Sequence, residues 1–110
     1  MRRVTAQGQF ATSHKDEACA PYLHGHTFHV IATEIGIAEY DLLEDLDGVV
    51  GELHLHSLDE MLVGGGQDLE SMSAWVMERL VMRHPRLTMV EMWTADRPAL
   101  RVGVEREVRR

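Results

Sequence analysis

The stretch Leu23-His24-Gly25-His26-Thr27-Phe28-His29-Val30-Ile31 decides the fold, because it joins two closely spaced histidines to a run of strand-forming residues. From Thr27 to Thr33 most residues are β-branched or aromatic and show no helical spacing, which predicts a strand. Side chains alternate along a strand, so His24 and His26 point the same way. Two imidazoles on one face can each place a nitrogen about 2.0–2.1 Å from a single zinc ion.

A third histidine completes this candidate metal site. His14 lies at the end of an earlier extended stretch that can pair antiparallel with the His24 strand. Three imidazoles with an open fourth position are typical of catalytic zinc, whereas structural zinc is usually enclosed by four protein ligands. A His-x-His pair alone is a weak signal, and plain surface histidines are the competing interpretation.

Bulk properties exclude several classes of function. The chain has 110 residues and a net charge of −7, which predicts one domain over residues 1–110 and argues against binding nucleic acid or acidic membranes. No apolar run is long enough for a membrane span, and no signal-peptide apolar region follows the first residues. The single cysteine, Cys19, cannot form an internal disulfide, which fits a reducing compartment and a cytoplasmic location.

The first part of the chain predicts a long hairpin followed by a connection and a helix. Residues Arg2 to Ser13 alternate as a first strand, and the break from Lys15 to Pro21 returns the chain into the His24 strand. The acidic run from Ala38 to Asp47 is interpreted as a solvated connection. A short helix is predicted over Glu52 to Val63, ended by three glycines.

The second part predicts one more helix and two more strands. The helix runs from about Leu69 to Arg83, with Asp68 as its N-cap. Its buried stripe is predicted to contain Leu69, Met72, Val76 and Leu80. Strands follow over Thr88 to Thr94 and Leu100 to Val108. The order is therefore β-β-α-α-β-β, an α+β domain.

Four motifs in the hairpin carry a family resemblance: Phe10-Ala11-Thr12-Ser13-His14, Cys19, His24-Gly25-His26 and Gly36. In these motifs the chain resembles the 6-pyruvoyl tetrahydropterin synthase and 6-carboxytetrahydropterin synthase family. The resemblance implies zinc held by His14, His24 and His26, with Cys19 as the catalytic base. Without the resemblance, Cys19 is interpreted as an inert loop cysteine.

The resemblance also implies an architecture and an assembly. That family has the tunnelling fold, a four-stranded antiparallel sheet with two helices on one face. Sheets of several subunits join into a barrel, with active sites at subunit interfaces, so a homotrimer or homohexamer is expected. Open sheet edges are an independent reason to assemble, because they otherwise invite uncontrolled pairing.

The implied activity is that of a zinc-dependent carbon–oxygen lyase acting on 7,8-dihydroneopterin triphosphate or a related small molecule, in tetrahydropterin or queuosine biosynthesis. In the family an Asp–His pair relays protons and a glutamate anchors the pterin ring. Here Asp59 matches the aspartate, but Glu60 replaces the histidine. Trp93 replaces the anchoring glutamate, which leaves Glu70, Glu91 and Trp93 as candidate substrate-binding residues.

A second His-x-His pair, His54 and His56, lies in the predicted first helix. Residues two apart on a helix do not face each other, so a second metal site is not expected and an exposed surface is predicted. One of the pair could replace the missing dyad histidine.

Three functions remain open on these residues. The first is the pterin lyase itself. The second is a zinc enzyme of the same fold that has lost the pterin anchor and acts on another small molecule. The third is a non-catalytic, metal-binding assembly protein.

Overall fold

The computed structural model describes residues 2–16, 20–36, 39–54 and 68–108. For residues 12–16, 20–26 and 39–40 it describes the backbone alone. Its elements, in chain order, are β1 (Arg3–Asp16), β2 (Ala20–Ile35), α1 (Glu39–Leu53), α2 (Leu69–Val81), β3 (Leu87–Thr94) and β4 (Val102–Glu105). The strands form one antiparallel sheet in the order β1-β2-β3-β4. The predicted β-β-α-α-β-β order and α+β class are confirmed. Within the described ranges, no helix is long and apolar enough to cross a membrane.

The core lies between one face of the sheet and the two helices. Alternate strand positions supply its apolar side chains, as the period of two in the sequence requires. Full burial of each such side chain contributes about 1.5–3 kcal/mol. The buried strand residues of this face include Phe10, Phe28, Val30, Ala32, Val90 and Met92, and the helices add Leu42, Leu46, Val50, Leu53, Met72, Val76 and Leu80.

Helix α1 corrects the prediction for residues 38–53. The acidic run from Ala38 to Asp47 was expected to be a solvated connection; this interpretation is wrong, because one helix spans Glu39–Leu53. Apolar residues recur there at helical spacing, and all four are buried: Leu42, Leu46, Val50 and Leu53. Carboxylates such as Asp41, Glu44 and Asp47 lie on the exposed side. The predicted helix over Glu52 to Val63 begins inside α1, and its remainder after His54 lies outside the described residues.

Helix α2 follows the prediction closely. Asp68 is its N-cap, and the Asp68 carboxylate accepts a hydrogen bond from the Ser71 N–H at 2.7 Å. Met72, Val76 and Leu80 are buried, and Leu69 packs partly buried against them. The helix ends at Val81, two residues before the predicted end. Strand β4 is also shorter than expected, since Leu100 lies outside it with 54% of its surface exposed.

The β1–β2 hairpin is longer than the rest of the sheet. Strand β3 pairs with residues 28–34 of β2, whereas β1 and β2 pair from Arg3 and Ile35 to Asp16 and Ala20. Residues 12–16 and 20–26 therefore form a two-stranded ribbon that extends past the end of β3. We call this segment the β1–β2 ribbon, and it contains His14, His24 and His26.

Candidate functional site

The register of the β1–β2 ribbon brings the three predicted metal ligands to neighbouring positions. His14 lies directly opposite His24, and His26 lies opposite Thr12, with no irregularity between these pairs. Because Thr12 and His14 are two residues apart, all three histidine positions belong to one face of the ribbon. Neighbouring positions are about 4.5–5.5 Å apart across antiparallel strands. Along one strand, positions two apart are separated by about 7 Å.

The same face leads into the hydrophobic core. Phe10 pairs with Phe28 immediately before Thr12 and His26, and their buried rings stack with centroids 5.2 Å apart. The histidine positions thus continue the helix-covered face of the sheet outward from its last aromatic pair. Three imidazole positions in this register suit zinc, whose ligands in proteins include histidine nitrogens and whose catalytic sites use three protein ligands. Among the side chains that the structure describes, no group of three or more His, Cys, Asp or Glu could hold a metal.

The opposite face of the sheet carries a row of stacked planar groups. The imidazole of His29 stacks on the indole of Trp93 with centroids 5.4 Å apart and planes 14° from parallel. The Arg101 guanidinium lies over the same indole, 4.1 Å from its centroid. Trp93 is therefore only 7% exposed, although neither α1 nor α2 packs on this face of the sheet. A ligand ring could stack on Trp93 only after one of these two groups had moved.

The predicted substrate-binding residues do not lie on one side of the molecule. Glu91 is two residues before Trp93 on β3 and shares its face, opposite Ile31 and Gly103. Glu70 is exposed in the first turn of α2, which packs on the other face. The register therefore places Glu91 and Trp93 on the face opposite to the three histidine positions. Cys19 and Asp59 lie outside the described residues, and their roles remain predictions.

One histidine contact near the ribbon could not be anticipated from the sequence. His54 follows α1, and its Nδ1 accepts a hydrogen bond from the backbone N–H of Ala11 at 3.1 Å. Its exposed side chain agrees with the predicted surface position. The contact places an imidazole on the outer edge of β1, three residues before His14. The sequence carried no signal for it, because it joins residues 43 positions apart.

Comparison with known proteins gives matches in structure and none in sequence. No family model and no curated protein sequence matches the chain. The structure is similar to that of 6-pyruvoyl tetrahydropterin synthase from Caenorhabditis elegans, with a TM-score of 0.78 and 15% identity, over 97% of this chain and 98% of that one. It is also similar to 6-pyruvoyl tetrahydropterin synthase from Plasmodium falciparum, with a TM-score of 0.71, 15% identity, and coverage of 97% and 98%.

A third similar structure is an uncharacterized protein from Wolinella succinogenes, with a TM-score of 0.69, 17% identity, and coverage of 96% and 98%. These matches span nearly the full length of all the chains compared. They agree with the resemblance carried by the motifs around His14 and His24. The chain therefore has the fold of the 6-pyruvoyl tetrahydropterin synthases, at 15% identity to the two synthases named here.

Proposed function

We propose that the protein is a zinc-dependent carbon–oxygen lyase of the 6-pyruvoyl or 6-carboxytetrahydropterin synthase type, acting on 7,8-dihydroneopterin triphosphate or a related small hydroxylated molecule. The observation that carries the proposal is the register of the ribbon, in which His14, His24 and His26 occupy adjacent positions on one face. The shared fold supports the same reaction class.

The chain's own residues have distinct roles in this proposal. His14, His24 and His26 would hold zinc, which supplies Lewis acidity toward the substrate's side-chain oxygens and so makes the adjacent C–H protons more acidic. Cys19, as a thiolate, takes a proton from carbon. Asp59 belongs to the proton relay, and Glu70 or Glu91 accepts hydrogen bonds from the substrate ring. The Phe10–Phe28 pair closes the core next to the ribbon and limits access of water from that side.

The arrangement of the predicted residues favours an assembly of several copies. In one chain, the histidine positions and the Glu91–Trp93 pair lie on opposite faces of the sheet. A site that uses both sets is therefore completed by another subunit. Within the described residues, no strand pairs with either outer edge of the ribbon, and a neighbouring sheet can pair with such edges. We propose a homotrimer or homohexamer in which sheets join into a barrel.

A specific observation favours a second candidate function, a zinc enzyme of this fold with another substrate. Trp93 stands where the family resemblance places the ring-anchoring glutamate. It offers no carboxylate, and its indole is already stacked between His29 and Arg101. A pterin ring would lose its main hydrogen-bonding partner at that position. The third candidate, a non-catalytic metal-binding assembly protein, is distinguished from both by turnover.

The metal site is tested by counting zinc in purified variants. His24→Ala should lose tight zinc binding, because two imidazoles form an incomplete catalytic set. His29→Ala is the matched control, since His29 lies on the same strand but on the opposite face, against Trp93. Zinc should remain at one ion per chain in the control. Equal zinc content in both variants would remove the basis of the proposed site.

The reaction is tested with 7,8-dihydroneopterin triphosphate and the zinc-loaded protein, with the product identified by mass spectrometry. A pterin with a modified side chain would establish the first function, and Cys19→Ala should then abolish turnover while zinc stays bound. Stoichiometric zinc without turnover of this substrate would exclude the first function; turnover of another small hydroxylated or keto compound would then establish the second function, and its absence throughout such a search would favour the third. Absence of zinc from the protein as isolated and after reconstitution would exclude both enzymatic functions.

A further inference from the structure

A row of planar side chains crosses the sheet on the face that α1 and α2 do not cover. His29 on β2 is the register partner of Trp93 on β3. Arg101 is the residue before Val102, which pairs with Met92, so it comes level with Trp93 on the other side. We call Trp93 and Arg101 together the Trp93 site. It lies on the face opposite to the three histidine positions of the ribbon.

The backbone of the connection between β3 and β4 holds the Trp93 site in place. The Arg97 N–H donates to the Thr94 carbonyl at 3.1 Å, and the Leu100 N–H donates to the Arg97 carbonyl at 3.2 Å. These two consecutive turns return the chain from the end of β3 to the start of β4. Arg101 therefore reaches the Trp93 ring from a defined backbone position.

The indole N–H of Trp93 has no acceptor within the part of the chain that the structure describes. The residue is only 7% exposed, and its ring contacts are with the imidazole of His29 and the guanidinium of Arg101. A buried tryptophan N–H usually finds a hydrogen-bond partner, and an unsatisfied buried donor lowers stability. An acceptor supplied by a ligand would relieve this cost.

The positive charge of Arg101 is also without a counter-ion among the described residues. Its guanidinium carbon lies 4.1 Å from the centroid of the Trp93 ring. Glu91 lies on the same face, two residues before Trp93, but forms no ion pair with Arg101. The guanidinium therefore has an aromatic support and an uncompensated charge.

The other arginine–tryptophan contact of the described residues shows the difference. Arg79 lies over Trp75 on α2, 4.7 Å from the ring centroid. Its Nη1 is 3.8 Å from Oε1 of Glu52, so this arginine has a counter-ion. An arginine that stacks on tryptophan is thus not left without a carboxylate as a rule in this chain.

We propose that Arg101 and Trp93 form a binding site for an oxyanion, the carboxylate or phosphate group of a small molecule. A guanidinium stacked on an aromatic ring can still donate hydrogen bonds from its edge to two oxygens. Because the guanidinium lies over the indole, the indole N–H is within reach of the same oxyanion. Both groups only donate, so they select acceptors and exclude the amino edge of a pterin.

The identification of the ligand as a substrate rests on the proposed function. A site that combines the histidine positions with Trp93 draws on two subunits, and one substrate bridges them. Its acidic group binds to Arg101 and Trp93, and its hydroxyl or keto group faces the histidine positions. The substrate class is therefore a small hydroxy or keto acid, or the corresponding phosphate.

The site is tested by titrating the protein as isolated with sodium acetate and with inorganic phosphate, at an ionic strength kept constant with sodium chloride. The NMR resonance of the Trp93 indole N–H should move downfield and saturate, because the N–H gains a charged acceptor. The Trp75 indole is the internal reference and should not move. Saturation at a lower concentration of acetate than of phosphate identifies a carboxylate ligand, and the reverse order identifies a phosphate.

Arg101→Ala should weaken the binding by about tenfold or more, the loss expected for hydrogen bonds to a charged group. Arg97→Ala is the matched control, an exposed arginine of the same connection, and should bind like the wild type. Equal weakening in both variants would overturn the proposal. So would the absence of a saturable shift of Trp93 in the wild type, a result that depends on no variant.

The titration needs neither zinc nor turnover, which separates this site from the proposed function. A protein that binds no zinc but shows the saturable shift would refute the zinc enzyme and support the oxyanion site. A protein that binds zinc but shows no shift would refute the oxyanion site and leave the zinc enzyme supported.

Discussion

Nδ1 of His54 accepts a hydrogen bond from the Ala11 backbone N–H at 3.1 Å, across 43 residues of sequence. The contact satisfies an amide on the outer edge of β1, where no neighbouring strand is present in the described chain. It also fixes the end of α1 against the strand that leads to His14.

Replacing His54 with alanine should weaken this attachment. We expect the free energy of unfolding to fall by about 0.5–1.5 kcal/mol, the usual net contribution of one hydrogen bond. Hydrogen exchange of the Ala11 amide should accelerate while the Ala6 amide is unchanged. His54→Asn, whose side-chain oxygen can accept in place of Nδ1, should restore part of the protection. Unchanged exchange at Ala11 in the alanine variant would contradict the contact.

Two glycines of α1 offer a gain in stability. A Cβ atom added at Gly48 or Gly51 meets nothing within 4 Å. Glycine in a helix interior costs about 0.5–1 kcal/mol relative to alanine. Gly48→Ala and Gly51→Ala should therefore each raise the free energy of unfolding by that amount in urea titrations.

Gly103 is the contrasting position for the same substitution. A Cβ there would contact the Val90 carbonyl oxygen and lie 2.9 Å from the Glu91 Cα. Gly103→Ala should destabilise the β3–β4 pairing and lower the midpoint of the urea transition. An unchanged midpoint for Gly103→Ala would show that β3 and β4 can move apart at this position without loss of stability.

Arg101→Ala should uncover the indole of Trp93. The guanidinium lies 4.1 Å from the ring centroid, and such exposed cation–π contacts contribute about 0.5–1 kcal/mol. In a Trp75→Phe background, the fluorescence of Trp93 should shift to longer wavelength in the Arg101 variant. Arg97→Ala, an exposed arginine of the same connection, should leave the emission unchanged. Identical spectra for both variants would argue against the stack in solution.

The N-cap of α2 provides a test of helix termination. The Asp68 carboxylate accepts a hydrogen bond from the Ser71 N–H at 2.7 Å and another from the Ser71 hydroxyl at 3.1 Å. Asp68→Ala should lower the free energy of unfolding by about 1 kcal/mol. Asp68→Ser should keep most of this contribution, because serine is also a favoured N-cap residue. Equal losses for alanine and serine would indicate that the cap contributes little.

The order of helices and strands could be predicted from the sequence, because the local spacing of apolar residues indicates which face of each element is buried. The alternation through Phe28, Val30 and Ala32 and the helical spacing of Met72, Val76 and Leu80 led to the correct strand and helix. Helix α1 was not predicted, because its exposed side carries the carboxylates and it contains Gly48 and Gly51, which are typical of a connection. These residues outweighed the helical spacing of its buried apolar residues, Leu42, Leu46, Val50 and Leu53.

The sequence by itself determined the hairpin, the α+β class and the face shared by His24 and His26, because strand alternation depends only on neighbouring residues. Only the tertiary structure decided that His14 pairs with His24, that Glu91 and Trp93 lie on the opposite face, and that Trp93 is enclosed by His29 and Arg101. The contacts of the His84 ring with the carboxylates of Glu34 and Asp45 likewise needed the assembled fold. Each of these relationships joins segments that are distant in the chain. They depend on strand register and helix packing, and no local sequence pattern specifies the register or the packing.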